Sequence, residues 1–269
     1  MESKTGDSKI NIGIFTTVTN AKKRGDNPDI SLKCYEDLAD DLVVIDGKKT
    51  WPDEFTWPLI GQHFQKGYEQ LKTDWVIHAD LDFIFHERDY GRIRQALKDY
   101  PKSPAVSFYK WQFILPDRYN LKSRLVIAVN KGVFGDRIKF NGGGDLCQPT
   151  LDGVDMNLDE IPQAGVPFYN YEKLTKESYQ IADDVGRMDR AYFRHFGKYM
   201  YGQGDDLSAF DGWLHMAKGR FNKPQKHIGL HEHPKVIQNT IEMLTPLQFG
   251  YDGFGLLERN DYVKSRSDS

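Results

Sequence analysis

A chain of 269 residues with 39% hydrophobic and 13% aromatic side chains can bury a sizeable core, enough for one large α/β domain. Its charged residues, 28% of the total, are spread along the chain, which argues against wholesale disorder. A net charge of −3 does not suit a general nucleic-acid binder, although a local basic groove stays open, and two cysteines (Cys34 and Cys147) give neither a disulfide framework nor a thiolate metal site.

The opening "MESKTGDSK" is polar and lacks the apolar centre of a signal peptide, and no window approaches a run long enough to span a bilayer. The expectation is a disordered N-terminus over residues 1–9 of a cytoplasmic protein with no transmembrane segment. "INIGIFTTV" (10–18) reads as the first strand and "NAKKRGDNPD" as a loop. "ISLKCYEDLAD" (30–40) places Leu32, Tyr35 and Leu38 at helical spacing, and "DLVVID" (41–46) is a short strand ending on Asp46. An aromatic loop containing Trp51 and Trp57 leads into a helical pattern from Leu59 to Leu71. "DWVIHADLDFIF" (74–85) reads as one strand, with His78, Asp80 and Asp82 interrupting an apolar run. A helix over 89–100 and an alternating strand over 105–115 follow.

Strand and helix thus alternate through the first hundred residues, the pattern of a doubly wound, parallel sheet. Ligands bind such sheets at the carboxyl ends of the strands. Asn20, Asp46 and the Asp80/Asp82 pair all lie at or just beyond predicted strand ends, so they should converge on one crevice.

The second half is less regular. "RLVIAVNKG" and "DRIKFNGGGDLCQPTLDG" suggest strands and a Gly-rich turn. No Gly-Lys-Ser/Thr follows those glycines, so a phosphate loop is not indicated, and Asp145 is a candidate for accepting a sugar hydroxyl. Trp111, Arg118, Tyr119, Lys122 and Arg124 interleave aromatic and basic groups, which suits a sugar or phosphate acceptor and equally an amphipathic strand and loop. Residues 172–197 are helical, with a possible join of two helices near Gly186, and Asp183-Asp184 reads as a solvated face. A further helix runs over 205–221, with acids at its start as the macrodipole prefers.

Asp80-Leu81-Asp82 carries the sharpest chemistry. Residues i and i+2 of an extended chain point to one side, and two carboxylates in an apolar run are costly unless compensated. Two hard oxygens groups at a strand end suit Mg²⁺ or Mn²⁺, which keeps further positions for phosphate oxygens and water. A bare D-x-D also occurs as a solvated strand terminus, but the apolar flanks argue for a cation.

Strand-ending Asp46, followed about 35 residues later by the D-x-D of "DWVIHADLDFIF", resembles the GT-A glycosyltransferases, in particular the family 2-like group. The resemblance covers roughly residues 10–235. It implies an α/β, Rossmann-like GT-A fold: a mostly parallel central sheet flanked by helices, with a helical C-terminal part. It implies one catalytic domain over 10–235, with a nucleotide-binding half (10–115) and an acceptor half (116–235), and an extension over 236–269. By position, Asp46 looks like the acid that contacts the nucleotide base, Thr17 and Asn20 edge the nucleotide pocket, and Asp80 and Asp82 hold Mn²⁺ or Mg²⁺ on the diphosphate of a sugar nucleotide. "IDGKKT" departs from the "DDGS" common after that strand in the family, which bears on the role of Asp46.

Gly204-Asp205-Asp206-Leu207, at a helix start, is similar to the Gly-Glu-Asp of inverting GT-A enzymes, one of whose carboxylates is the catalytic base. Asp206, or else Asp205, takes that role by resemblance. Some GT-A enzymes supply a C-terminal histidine to the metal, and in "HIGLHEHP" (His227, His231, His233) the match is His231 or His233. The cluster lacks the i, i+4 spacing of a zinc-protease helix, and surface histidines are the alternative. The implied activity is metal-dependent transfer of a sugar, with inversion, from a nucleoside diphosphate sugar to a hydroxyl on a glycan, a lipid-linked sugar or a modified base. A nucleic-acid acceptor therefore stays open. The rivals are a nucleotidyltransferase acting on a sugar phosphate, for which "NAKKRGDNPD" is poor in glycine, and a non-catalytic sugar-nucleotide-binding module.

Overall fold

The computed structural model describes residues 10–48, 50–143, 148–221 and 223–256. The expected disorder at 1–9, Asp145, Cys147, the side chain of Lys122 and the last part of the C-terminal extension lie outside the described residues. In chain order the elements are β1 (Ile12–Val18), α1 (Ala21–Arg24), α2 (Pro28–Leu38), β2 (Asp41–Asp46), α3 (Trp57–Gln70), β3 (Trp75–His78), β4 (Phe83–Ile84), α4 (Tyr90–Asp99), β5 (Ala105–Leu115) and β6 (Arg118–Asn130). They continue with α5 (Lys131–Phe134), β7 (Ile138–Gly143), β8 (Gln148–Leu151), β9 (Val154–Asp155), β10 (Gln163–Asn170), α6 (Ser178–Phe196), α7 (Asp206–Phe221), β11 (Lys226–His227), α8 (Lys235–Glu242) and α9 (Phe249–Asp252). Pro28 and Pro58 stand in the first turns of α2 and α3, where a missing N–H breaks no intrahelical bond. No helix among the described residues is long and apolar enough to cross a membrane.

The protein is α/β, with a large mixed sheet in the order β2-β1-β3-β6-β5-β10-β4 and β11 added to β6. The β1–β2, β1–β3 and β5–β10 pairings are parallel, with helices in the β1–β2 and β2–β3 connections. The sheet is less parallel than the strand–helix alternation predicts. β5 returns through Pro116-Asp117 straight into β6, and a turn that short permits only antiparallel pairing. β7, β8 and β9 form a separate three-stranded sheet.

The stretch 75–85 is not one strand. β3 pairs with β1 and β6, whereas β4 pairs with β10 at the far edge. Three strands separate β3 from β4 in the sheet order, a span of about 19 Å in a flat sheet. The link from His78 to Phe83 reaches only about 18 Å fully extended, and it is not extended, because Phe83 N donates to Asp80 O at 2.8 Å. The sheet must therefore curl, and the D-x-D lies inside the link across that curl.

Alternate residues of β1 feed two cores. Ile12 and Ile14 pack with Tyr35, Leu38 and Ile77, while Phe15 packs with Phe64, Tyr68 and Phe140 on the opposite face. Each such fully buried side chain contributes on the order of 1.5–3 kcal/mol. α3 lies close on β1, since a Cβ on Gly67 would come within 2.6 Å of the Phe15 ring.

Residues 178–196 form one unbroken helix, with no join at Gly186. That glycine serves another purpose: a Cβ there would fall 2.0 Å from Asp206 Oδ1 and 2.9 Å from its Cα, so its absence lets the start of α7 dock on α6. Gly186→Ala should accordingly cost about 1–3 kcal/mol, the usual penalty of overpacking. The denaturant midpoint should fall with little change in slope. An unchanged midpoint would mean that α7 shifts away freely.

Candidate functional site

The carboxyl ends of β1, β2 and β3 share one edge of the sheet. Val18 is level with Asp46 and Phe15 with His78, and Ala79 N continues the ladder to Phe15 O at 3.1 Å. Thr17, Asp46 and Asp80 therefore lie across three neighbouring strands, with Asp46 and Asp80 about two strand spacings, or ~10 Å, apart. The exposed Asp46 accepts a hydrogen bond from Lys48 N at 2.8 Å. Asn20 opens α1 in the left-handed region (φ 52°), a conformation asparagine tolerates. The strand register thus brings Asp46 and the start of the D-x-D to one edge, while Asn20 and Asp82 lie beyond the paired residues.

The D-x-D backbone is tied down from two sides. The Tyr35 hydroxyl lies 2.5 and 2.8 Å from the carbonyl oxygens of Asp80 and Phe83 and shares its proton between them, and the Ser31 hydroxyl donates to Leu81 O. From beyond β10, Tyr171 N donates to Asp82 O at 3.0 Å.

The side chains are less well satisfied. Asn170 Nδ2 donates to Asp82 Oδ2 at 2.7 Å. His78, whose ring lies 5.0 Å from that of Phe15 and 4.0 Å from that of Phe64, brings Nε2 to 3.2 Å from Asp80 Oδ1, outside hydrogen-bond geometry. Burial pushes the Asp82 carboxyl up to about 6, with the charges of Asp80 and Glu172 adding to the shift and Lys110 opposing it. Burial also works against ionising Asp80, but His78, Lys110 and Arg24 outweigh it and hold that carboxyl below its ordinary value. Asn170 Oδ1, on the amide that grips Asp82, is buried and accepts no hydrogen bond. Carboxylate and amide oxygens are the donor types that suit a hard divalent cation. Behind the D-x-D, Asp82 and Glu172 line a cleft of about 40 Å³ with Asp26, Ser31, Tyr171 and Lys176, enough for a few waters.

The histidine ligands expected from the sequence are not brought to this pair. Among the described residues, no group of three or more His, Cys, Asp or Glu side chains is placed to hold a metal ion. His233 is 1% exposed, and both of its ring nitrogens are engaged. Nε2 is 2.6 Å from Pro116 O, which can only accept, so the proton sits on Nε2 and Nδ1 accepts from the Tyr171 hydroxyl at 2.7 Å. Burial holds this imidazole down to about 4. A neutral ring with both nitrogens used has none left for a cation. His231 stands exposed in a single 3₁₀ turn, and the exposed His227 lies 3.9 Å from Asp117.

The two candidate bases are also engaged. Asp205 Oδ1 accepts from Ser208 N at 2.9 Å and its Oδ2 from the Ser208 hydroxyl at 2.7 Å, an N-cap that holds the carboxyl below its ordinary value. Asp206 Oδ1 accepts from Arg190 Nη1 at 2.7 Å, and Arg190 also pairs with Glu54 at 2.7 Å. No hydrogen bond or ion pair joins either aspartate to Asp80 or Asp82 among the described residues.

Other groups enter the site unannounced by the sequence. "EKLTK", expected to open a helix at 172, is instead turns after β10, and together with Asn170 it brings Glu172 and Lys176 to the D-x-D. Asp184, expected on a solvated face, is buried. Its carboxylate takes Arg24 Nε and Arg187 Nη2, both at 2.9 Å, and Lys176 Nζ, with Lys173 at 3.5 Å. Despite burial, those cations hold the Asp184 carboxyl well below the usual range. The aromatic candidates pack internally: Trp57 against Tyr192 and Phe196, Trp51 against Phe55, and Trp111 stacked on Tyr119 at 4.3 Å. Arg118 pairs with Asp117, and Arg124 faces Asp159.

No protein-family model matches this sequence, and no curated protein does.

The raised Asp82 carboxyl has a consequence for stability. The folded state holds its proton more tightly than the unfolded chain, whose aspartates titrate near about 4. The contribution of Asp82 to metal-free stability should therefore decline as pH rises from about 4 to about 6 and stay at the lower level above that. Asp82→Asn, which can still accept from Asn170, should raise the melting temperature in EDTA at pH 7–8 and leave it nearly unchanged below pH 4. A variant less stable than wild type at pH 8 would show that Asp82 is not under strain.

Proposed function

We propose that the protein is a metal-dependent glycosyltransferase of the GT-A type, moving a sugar from a nucleoside diphosphate sugar to an acceptor hydroxyl. One observation carries the reading: three parallel strands end on a common edge, with Thr17 and Asn20, Asp46, and the under-satisfied Asp80/Asp82 pair arranged across it. Parallel β2-β1-β3, with β5 and β10 running the same way beyond antiparallel β6, supports a Rossmann-like arrangement around that edge.

In this reading Asp46 meets the nucleotide base, and Thr17 and Asn20 border it. Asp80 and Asp82 hold Mn²⁺ or Mg²⁺. Water and phosphate oxygens complete the shell, as this class of cation prefers when one or two carboxylates bind it. The bound cation supplies a positive charge against the negative charge that grows on the departing diphosphate. Arg24 and Lys110, whose charges already reach the carboxylates, add to the same field.

A panel of UDP-, GDP- and dTDP-sugars with Mn²⁺ tests this directly. One donor should bind only with metal and slowly release its nucleoside diphosphate. Diphosphate released from a nucleoside triphosphate would instead favour a nucleotidyltransferase, and tight binding with no turnover would favour a binding module. Because Asp82 must lose its proton before a cation binds it, Mn²⁺ affinity should fall about tenfold per pH unit below about 6. Asp82→Asn should abolish the metal-dependent part of nucleotide binding. Binding in that variant with wild-type Mn²⁺ dependence would sink the assignment.

A further inference from the structure

Resting on that reading, we infer that Glu172, rather than Asp206, is the general base that takes the proton of the acceptor hydroxyl. Glu172 follows β10 directly, and its segment is strapped to the D-x-D. Asn170 grips the Asp82 carboxylate, Tyr171 N holds the Asp82 carbonyl, and Asp82 and Glu172 line the same cleft.

Its side chain is oriented but not consumed. Glu172 Oε2 accepts from Gln112 Nε2 at 3.2 Å. Gln112 Oε1 accepts from Arg220 Nη1 at 2.8 Å, which fixes the amide so that its NH₂ group faces the glutamate. Glu172 Oε1 has Lys173 no closer than 3.8 Å, and the side chain is 38% exposed. One oxygen is therefore free to meet a substrate. Asp206 differs in its partners. Its Oδ1 is held by a 2.7 Å bond to an arginine that taking up a proton would weaken, and among the described residues no hydrogen bond or ion pair ties it to Asp82.

The step balances simply. Glu172 Oε1 takes the acceptor hydroxyl's proton as the hydroxyl oxygen forms its bond to the anomeric carbon. The bond from that carbon to the diphosphate oxygen breaks, its electron pair stays with the phosphate, and the nucleoside diphosphate leaves. Glu172 then returns its proton to water.

The test uses the full chain, Mn²⁺ and whichever UDP-, GDP- or dTDP-sugar the wild type hydrolyses, with water as acceptor. Glu172→Gln should lower turnover about 10²–10⁴-fold while Mn²⁺-dependent binding of the nucleoside diphosphate stays within about threefold. Asp206→Asn should keep most of the turnover. In Glu172→Ala, added formate should restore part of the lost rate, which a purely structural role would not allow. The inference is overturned by a Glu172→Gln enzyme within tenfold of wild type, by loss of metal-dependent binding in that variant (a ligand, not a base), by a larger loss in Asp206→Asn, or by absence of formate rescue. Failure of the glycosyltransferase reading itself would show earlier and differently, as a wild type that binds and hydrolyses none of the donors.

Discussion

Asp184 holds the site together. Its carboxylate joins Arg24 from the turn after β1, Lys176 from the segment after β10, and Arg187 on its own helix, and Lys176 also reaches Asp26 at 2.7 Å. These segments come from distant parts of the chain. Burying so many charges gains little net energy compared with an apolar core, but removing any one partner typically costs about 3–5 kcal/mol, because the others are left uncompensated. The cluster therefore works as a register device. It sets where the 170–176 segment runs, and that segment supplies the groups that meet Asp82.

A few residues away the same chemistry is run in the opposite sense. Asp184 is buried among cations, which hold its carboxyl well below the usual range, whereas Asp82 is buried beside Asp80 and Glu172, which push its carboxyl up to about 6. The residue type is the same, and the sign of the neighbours decides. Under the proposed reading, a carboxylate left short of positive charge inside an otherwise well-paired region is where the cation binds. Arg24 and Lys110 supply that positive charge only in part.

Much of this was legible in the sequence where a single period governs a segment. β1, β2 and β3 with α2 and α3 follow from runs of apolar residues at strand and helix spacing, and the shared carboxyl edge follows from their order. What failed depended on partners far away in the chain. Phe83, Ile84 and Phe85 are buried whether they extend β3 or start a new strand, so periodicity cannot reveal that β4 crosses to the far edge. Three histidines in seven residues look like ligands, but His233 is taken up by Tyr171, 62 residues away, and by Pro116, 117 residues away. Asp184 follows another aspartate on a helix and looks solvated until Arg24, 160 positions earlier, is brought to it. Glu172 was hidden because it looks like the start of a helix over 172–197, whereas the helix begins only at Ser178 and Glu172 lies in the turns that follow β10.

The D-x-D combines a backbone with more restraints than it needs and side chains with fewer. Carbonyls of Asp80, Leu81 and Asp82 are each claimed, by Tyr35, Ser31 and Tyr171, and the Asp80–Phe83 turn closes the loop from within. The Asn170 oxygen keeps capacity to spare. The reverse distribution, mobile backbone with saturated side chains, would suit a structural turn. Fixed backbone with unsaturated oxygens is what a binding site needs, because the cost of ordering the ligating groups is met during folding and does not have to be met again when the ligand arrives. His233 belongs to this logic even though it ligates nothing. By accepting the Tyr171 hydroxyl's proton while donating to Pro116, it locks the residue whose backbone holds Asp82, and so fixes the D-x-D from one shell further out.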